Sequence, residues 1–198
     1  STRKESSAAS DVYKRQILRN RKGVGEAELG LANEMAINQF IAHHSVIFQP
    51  EKKRMWVSTA PWQCGKYVAY DLNRIFSDSI DFNHEIYTEN LTVPADSFLQ
   101  QQEYQQLMTY KRLAPVLRKQ IKKKERLDEQ TLHAFQHANP HFFYVYELLG
   151  DYYHATGQQD KALRNWKKAL LLPIPKRSES ERIEHKICLL YTSDAADD

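Results

Sequence analysis

The sequence predicts an α+β protein with antiparallel strands in its first half and helices in its second. Short apolar runs rich in Val, Ile, Phe and Trp lie between residues 37 and 72, with turn-forming residues between them. From about residue 95, apolar residues recur at intervals of three and four, which is the period of a helix. The 198 residues, 41% of them hydrophobic, are enough to bury a core, and no stretch approaches the ~20 consecutive apolar residues of a membrane span.

The strand region reads as a hairpin followed by a third strand. Residues 37–48 and 54–59 are apolar runs joined by Pro50 and charged residues, which is typical of a β-turn. A third run, residues 66–72, follows closely enough to extend the meander. Apolar residues occupy both faces of residues 41–48, so we expect a central strand that is covered on both sides.

The second half predicts a series of helices. Asp96 or Ser97 is a candidate N-cap for a long helix to about residue 126, in which Pro115 should cause a kink or a break. Asp128 caps a shorter helix that ends before Asn139. One face of the long helix is apolar and carries Leu107, Tyr110, Ala114, Leu117 and Ile121.

Residues 142–175 predict a helix pair with a turn at Thr156 and Gly157. The pair resembles a single tetratricopeptide repeat, because it has small residues where the two helices approach each other and large residues in the groove between them. The residues that carry this resemblance are Tyr146, Leu149, Gly150, Tyr153, Gly157, Ala162, Trp166 and Ala169. A single repeat rarely forms a binding superhelix, so the pair either binds a protein partner or simply packs on its neighbours.

The two ends of the chain read as translated DNA adapters. Residues 6–16 and 188–198 can be encoded by opposite strands of one inverted element of the kind used in sequencing-library preparation. We therefore interpret 1–16 and 188–198 as adapter translation and expect the rest to be an internal fragment of a longer protein. Within it we expect a strand domain at 17–76, a linker at 77–94 and a helical extension at 95–187.

Few residues point to chemistry by themselves. His133, His137 and His141 have helical spacing, but Pro140 interrupts the helix and surface positions are favoured over a metal site. His43 and His44 are predicted in mid-strand, which would bury one of them or place it at a cleft.

Two further features have structural interpretations. Cys64 has no assigned base, and we interpret it as a small buried residue. The basic run at 111–126 is interpreted as a solvated helix face, because no aromatic interleaving or nucleic-acid module accompanies it, and we expect no nucleic-acid partner.

Residues 33–76 resemble the C-terminal strands of the acyl-coenzyme A:6-aminopenicillanic acid acyltransferase-like family. These are N-terminal nucleophile hydrolases, related in fold to choloylglycine (bile salt) hydrolases. The resemblance rests on four segments of the sequence: Ile-Ala-His-His-Ser-Val-Ile-Phe, Trp-Val-Ser-Thr, Pro-Trp-Gln-Cys-Gly and Tyr-Val-Ala-Tyr-Asp-Leu. It covers about a quarter of the chain and includes no catalytic signature.

The resemblance implies the closing strands of an αββα sandwich in which a Cys at a processed N-terminus attacks a linear amide or an acyl thioester such as acyl-coenzyme A. That nucleophile would lie outside this chain, so no catalytic residue is expected here, and His44 and Ser45 are the only candidates to line the substrate pocket. No cofactor or metal is implied. Without a visible targeting signal the default expectation is cytoplasmic. The alternative is a non-catalytic, tetratricopeptide-like interaction module that binds a protein partner through the helical tail.

Overall fold

The computed structural model describes residues 16–77, 83 and 85–194. Contacts divide the chain into two compact units. We call them the sheet unit, Ser1–Arg21 with Ile37–Gln101, and the helical unit, Lys22–Ala36 with Gln102–Asp198. Together they confirm the mixed α and β composition that the sequence predicts.

The sheet unit contains a three-stranded antiparallel sheet in the described part of the chain. Strands β1 (Val46–Gln49), β2 (Arg54–Ser58) and β3 (Tyr67–Asp71) are adjacent in that order. A 3₁₀ turn at Pro50–Lys52 joins β1 to β2, and Lys53 after it has a left-handed backbone with φ of 47°. The predicted hairpin and the third strand are therefore confirmed.

Strand β1 is shorter than predicted and lies at an edge of the sheet. Residues 37–45 have no regular secondary structure, and within the described residues β1 pairs with β2 alone. The side chains of Val46 and Phe48 are 38% and 60% exposed. The expectation of a central strand covered on both sides is therefore wrong for β1, and β2 holds the central position. Alternating burial shows that only one face of β1 is covered.

One face of the sheet forms the core of the sheet unit. Ile47, Trp56, Tyr67 and Ala69 come from the three strands and pack with Val93. Leu18 and Leu91 contact the same cluster from the segments that flank the sheet.

The described part of the predicted linker belongs to this core. Val93 and Tyr67 exchange backbone hydrogen bonds of 2.9 and 3.0 Å, and the Thr88 amide donates to the Ala69 carbonyl at 2.8 Å. The indole of Trp56 donates to the Leu91 carbonyl at 2.9 Å. Residues 85–94 therefore cover the sheet, whereas residues 78–82 and 84 of the predicted linker lie outside the described residues.

The helices follow the predicted order. Helix α1 (Leu72–Ile75) directly follows β3, and a short 3₁₀ helix at Ser97–Gln100 is capped by Asp96, whose side chain accepts from the Phe98 amide at 3.0 Å. The helical unit contains helices α2 (Gln102–Lys123), α3 (Glu129–Ala138), α4 (Phe143–Ala155), α5 (Gln159–Leu170) and α6 (Arg177–Asp194).

Helix capping and helix faces agree with the sequence pattern. Asp128 caps α3 as predicted, because its side chain accepts from the Thr131 amide at 2.7 Å. The long helix begins later than predicted, and it continues through Pro115 without a break. Its buried face includes Leu107, Tyr110, Ala114 and Leu117, as predicted, whereas Ile121 is only partly buried.

Helix α6 includes residues 188–194 of the segment that we interpret as adapter-derived. Leu190 is 3% exposed, so this segment contributes to the packing of the helical unit. The origin of the segment is not tested by its fold and stays a prediction. Residues 1–15 and 195–198 lie outside the described residues.

Candidate functional site

The predicted pocket residues His44 and Ser45 immediately precede β1. His43 and His44 are both exposed and neither lies in a strand, so the expectation that one of them is buried in mid-strand is wrong. Strand β1 begins only at Val46, so both histidines lie in a segment without regular secondary structure. Ser45 is partly buried: its amide donates to the Ser58 hydroxyl at 2.7 Å, and its carbonyl accepts from the Ser58 amide at 2.9 Å.

Tyr67 lies next to Ser45 and was not singled out from the sequence. Its side chain is fully buried, and its hydroxyl oxygen has no partner at hydrogen-bond distance among the described residues. Burial raises the pKa of the Tyr67 hydroxyl, while the Ser45 side chain and Arg19 oppose that rise. Tyr67 lies in a strand whose residue pattern is typical of a hydrophobic core. The sequence therefore did not indicate that the Tyr67 hydroxyl would be buried.

Cys64 is buried, as predicted, in the turn between β2 and β3. It has no exposed surface, and the Asn38 amide donates to its sulfur at 3.3 Å. Burial is the main cause that raises the pKa of the Cys64 thiol. A thiol that is protonated at neutral pH and closed to solvent is not a nucleophile.

Two arginines that were not singled out from the sequence hold this turn and the segment at residues 94–98. The Arg19 guanidinium donates to the carbonyls of Gln63, Gly65 and Pro94 at 3.3, 3.0 and 2.9 Å. Arg21 contacts Asp96 at 3.1 Å and lies 4.1 Å from the ring centre of Phe98. Because their partners are carbonyls, a carboxylate and a ring of the same unit, the role of both arginines is structural.

The exposed face of the sheet is apolar, and we call it the outer face. From the strand register, the side chains that share it are Val46, Phe48, Met55, Val57, Val68 and Tyr70. Phe48 is 60% exposed and the four residues of β2 and β3 are partly buried. Phe48 also lines a hollow of about 570 Å³ at the hairpin end of the sheet, together with Leu72 and Phe76, and Phe76 is 80% exposed.

The two edges of the sheet differ in their backbone hydrogen bonds. The outward groups of β3 are paired, because Tyr67 bonds to Val93 and Ala69 bonds to Thr88 and to the Thr92 hydroxyl. In β1, alternation along the ladder directs the backbone groups of Ile47 and Gln49 to β2. The N–H and C=O groups of Val46 and Phe48 therefore point outward, and no described residue pairs with them.

The helical unit contains the predicted helix pair, α4 and α5. Gly150 lies against the indole of Trp166, where an added Cβ would collide with the ring. Leu149, Ala162 and Ala169 are buried between the helices, and Gly157 has the positive φ of 77° that the turn requires. The small-against-large packing that the sequence predicted is therefore confirmed.

A polar groove of about 350 Å³ lies beside this pair in the helical unit. Its walls include Arg126, His133, Tyr153 and Lys161. His133 stacks on His137, whose Nδ1 is 2.9 Å from the His133 carbonyl oxygen, and His141 is exposed beyond the helix end. Within the described residues, no group of three His, Cys, Asp or Glu side chains has an arrangement that could hold a metal ion.

Comparison with known proteins gives no relative: no family model, no curated protein and no solved structure matches the chain. None of the helices in the described part of the chain has both the length and the apolar character required to cross a lipid bilayer. The functional interpretation therefore depends on the geometry of the outer face and on the resemblance carried by the strand segments.

Proposed function

We propose that the sheet unit is part of the catalytic domain of an N-terminal nucleophile amidohydrolase or acyltransferase, which acts on a linear C–N amide or an acyl thioester. The observation that carries this proposal is the apolar outer face. An antiparallel sheet with one face in water alternates apolar and polar residues, whereas all six side chains of the outer face are apolar or aromatic. Such a sheet is typical of the inside of a layered sandwich.

Three of the four segments that carry the family resemblance coincide with structural elements: Trp-Val-Ser lies in β2, Pro-Trp-Gln-Cys-Gly forms the turn, and Tyr-Val-Ala-Tyr-Asp is β3. Of the Ile-Ala-His-His-Ser-Val-Ile-Phe segment, only Val46, Ile47 and Phe48 lie in β1. This agreement supports placing the sheet unit in one of the two sheets of an αββα domain. The second sheet would then cover the outer face.

In this proposal the residues of the chain position the sheet and do not perform the chemistry. A processed N-terminal Cys outside the chain attacks the acyl carbonyl, its α-amine takes the thiol proton, and an acyl-enzyme forms as the amine or thiol leaves. Water or a second amine then resolves the acyl-enzyme. Cys64 is excluded from the nucleophile's role by its burial, and Ser45 stays the proposed pocket residue nearest the sheet.

The test is to express the protein encoded by the gene including the sequence that precedes residue 17, and to treat it with an acylating amide or thioester. Peptide mass mapping should locate the acyl group on an N-terminal Cys. Cys64→Ala is the control and should retain the adduct in full. An adduct on Cys64, or hydrolysis by the 198-residue chain alone, would refute the proposal.

A second candidate, a non-catalytic interaction module, is favoured by the α4–α5 pair and the polar groove beside it. The two candidates differ in what should precede residue 17. Further helix pairs with a period of about 34 residues would favour the module, whereas strands after a processing site would favour the enzyme.

A further inference from the structure

The outward edge of β1 has the features of an unprotected strand edge. The N–H and C=O groups of Val46 and Phe48 point away from the sheet without a described partner. β1 consists of Val, Ile, Phe and Gln, and so it carries no charged side chain and no proline of the kind that natural sheets use to block an edge. At the opposite side of the sheet, the edge of β3 is closed by residues 88–93.

We infer that two copies of this chain associate through their β1 edges and form one continuous six-stranded antiparallel sheet. A two-fold axis at Ile47 places Val46 of one copy opposite Phe48 of the other. Both residues direct their backbone groups outward, so each such pair exchanges two N–H to O=C hydrogen bonds, and the symmetry produces two pairs.

Side chains reinforce this register. Residues that lie opposite each other in a sheet share a face, so Phe48 of one copy contacts Val46 of the second on the outer face. Phe48 is 60% exposed in the single chain and therefore gains a partner by pairing.

This pairing is separate from the proposed catalytic role. It concerns the 198-residue chain by itself, and a longer protein that supplied its own strand next to β1 would have no free edge. Pairing at the edge also differs from stacking of outer faces, because stacking needs the apolar side chains of β2 and β3 but not the amide of Val46.

The test is sedimentation of the 198-residue chain over a dilution series, with variants that separate edge from face. Val46→Pro removes an outward amide from the edge of β1, and Phe48→Lys places a charge at that edge. Each should weaken dimerisation by roughly tenfold or more. Val57→Lys, in central β2 on the same face, should leave the dimer intact.

Circular dichroism checks that each variant is folded, and Phe48→Lys at an exposed position keeps the test valid if Val46→Pro unfolds. A dimer lost in both edge variants and kept in Val57→Lys supports the inference. A monomer at every concentration overturns it. Association that is abolished by Val57→Lys but not by the edge variants also overturns it, since outer-face stacking would then be the cause.

Discussion

Gly150 shows how one residue fixes the approach of two helices. It lies in the middle of α4 with the indole of Trp166 against its backbone, and Trp166 is 2% exposed. The indole nitrogen also donates to Asp151 at 3.0 Å, which prevents the ring from turning away freely. A glycine normally weakens a helix interior, so its presence here is explained by the space that Trp166 occupies.

Gly150→Ala should therefore destabilise the chain, although the same change at an open helix position stabilises by about 0.5–1 kcal/mol. The collision with Trp166 predicts a loss of roughly 1–3 kcal/mol in the free energy of unfolding, measured by urea titration. The double variant Gly150→Ala with Trp166→Leu is the control. It should be no less stable than Trp166→Leu alone, and an additive loss would show that the ring is not the cause.

Cys64 yields a prediction about reactivity. Its thiol is buried and its pKa is raised, whereas Cys188 is exposed. Alkylation of the folded chain at neutral pH should label Cys188 and leave Cys64 unmodified until the protein is unfolded. Mass mapping after a timed reaction measures both sites at once, and rapid labelling of Cys64 in the native chain would contradict its assignment as a closed, structural thiol.

At the scale of elements, helices α4 and α6 are joined by an ionic cluster around the buried carboxylate of Glu147. Glu147 is 2% exposed, and its carboxylate accepts two hydrogen bonds from Arg182, both of 2.8 Å, and one of 2.8 Å from Lys186. Lys186 also contacts Asp151 at 2.8 Å. Burial alone would raise the pKa of Glu147, but Arg182 and Lys186 outweigh burial and hold that pKa below its usual value.

This cluster predicts a loss of stability in acid. The lowered pKa of Glu147 stabilises the folded state above the carboxyl's ordinary pKa of 4.5, and that contribution disappears as the pH falls through the lower, folded-state value. Glu147→Gln should flatten the acid limb of a stability–pH profile measured by urea unfolding. Glu184→Gln, at an exposed carboxylate in the middle of α6, is the matched control and should leave the limb unchanged. An unchanged limb in Glu147→Gln would contradict the account.

Removal of one cation tests the same cluster at neutral pH. Lys186→Met leaves Glu147 buried with Arg182 alone and removes the contact with Asp151. Because Lys186 is 25% exposed, we expect a loss of roughly 1–3 kcal/mol in the free energy of unfolding, less than the ~3–5 kcal/mol for breaking a fully buried pair. Lys119→Met, at an exposed site in α2, is the control and should have little effect.

Local signals in the sequence explain which elements were predicted well. The hairpin and the caps depend on neighbouring residues, such as Pro50 in the turn and Asp128 before α3, and these were predicted correctly. The length of β1 and its edge position depend on which strands lie beside it. The apolar run alone therefore led to the wrong prediction that His43 and His44 lie within a strand. The partners of Arg19 and Glu147 are 35 or more residues away, beyond the range of any local pattern.

At the scale of the whole molecule, the sheet unit has more apolar surface than its own core uses. Its inner face is covered by Leu18, Leu91 and Val93, and its outer face still presents an apolar layer. Exposed apolar patches of this kind mark surfaces that bind another layer or partner. Under the proposed function, a second sheet covers the outer face in a protein that also contains the sequence preceding residue 17.

Thiol accessibility at position 48 tests this claim most directly. Two proteins are compared: the 198-residue chain, and the longer protein that also contains the sequence before residue 17. Each receives Phe48→Cys or, as a control, Arg164→Cys at an exposed position of α5. The labelling rates are then measured by mass spectrometry, with the 198-residue chain held at a dilution at which it is monomeric. The account predicts that Phe48→Cys reacts readily in the shorter chain and is protected in the longer protein, while Arg164→Cys reacts in both. Equal reactivity of Phe48→Cys in the two proteins would contradict it.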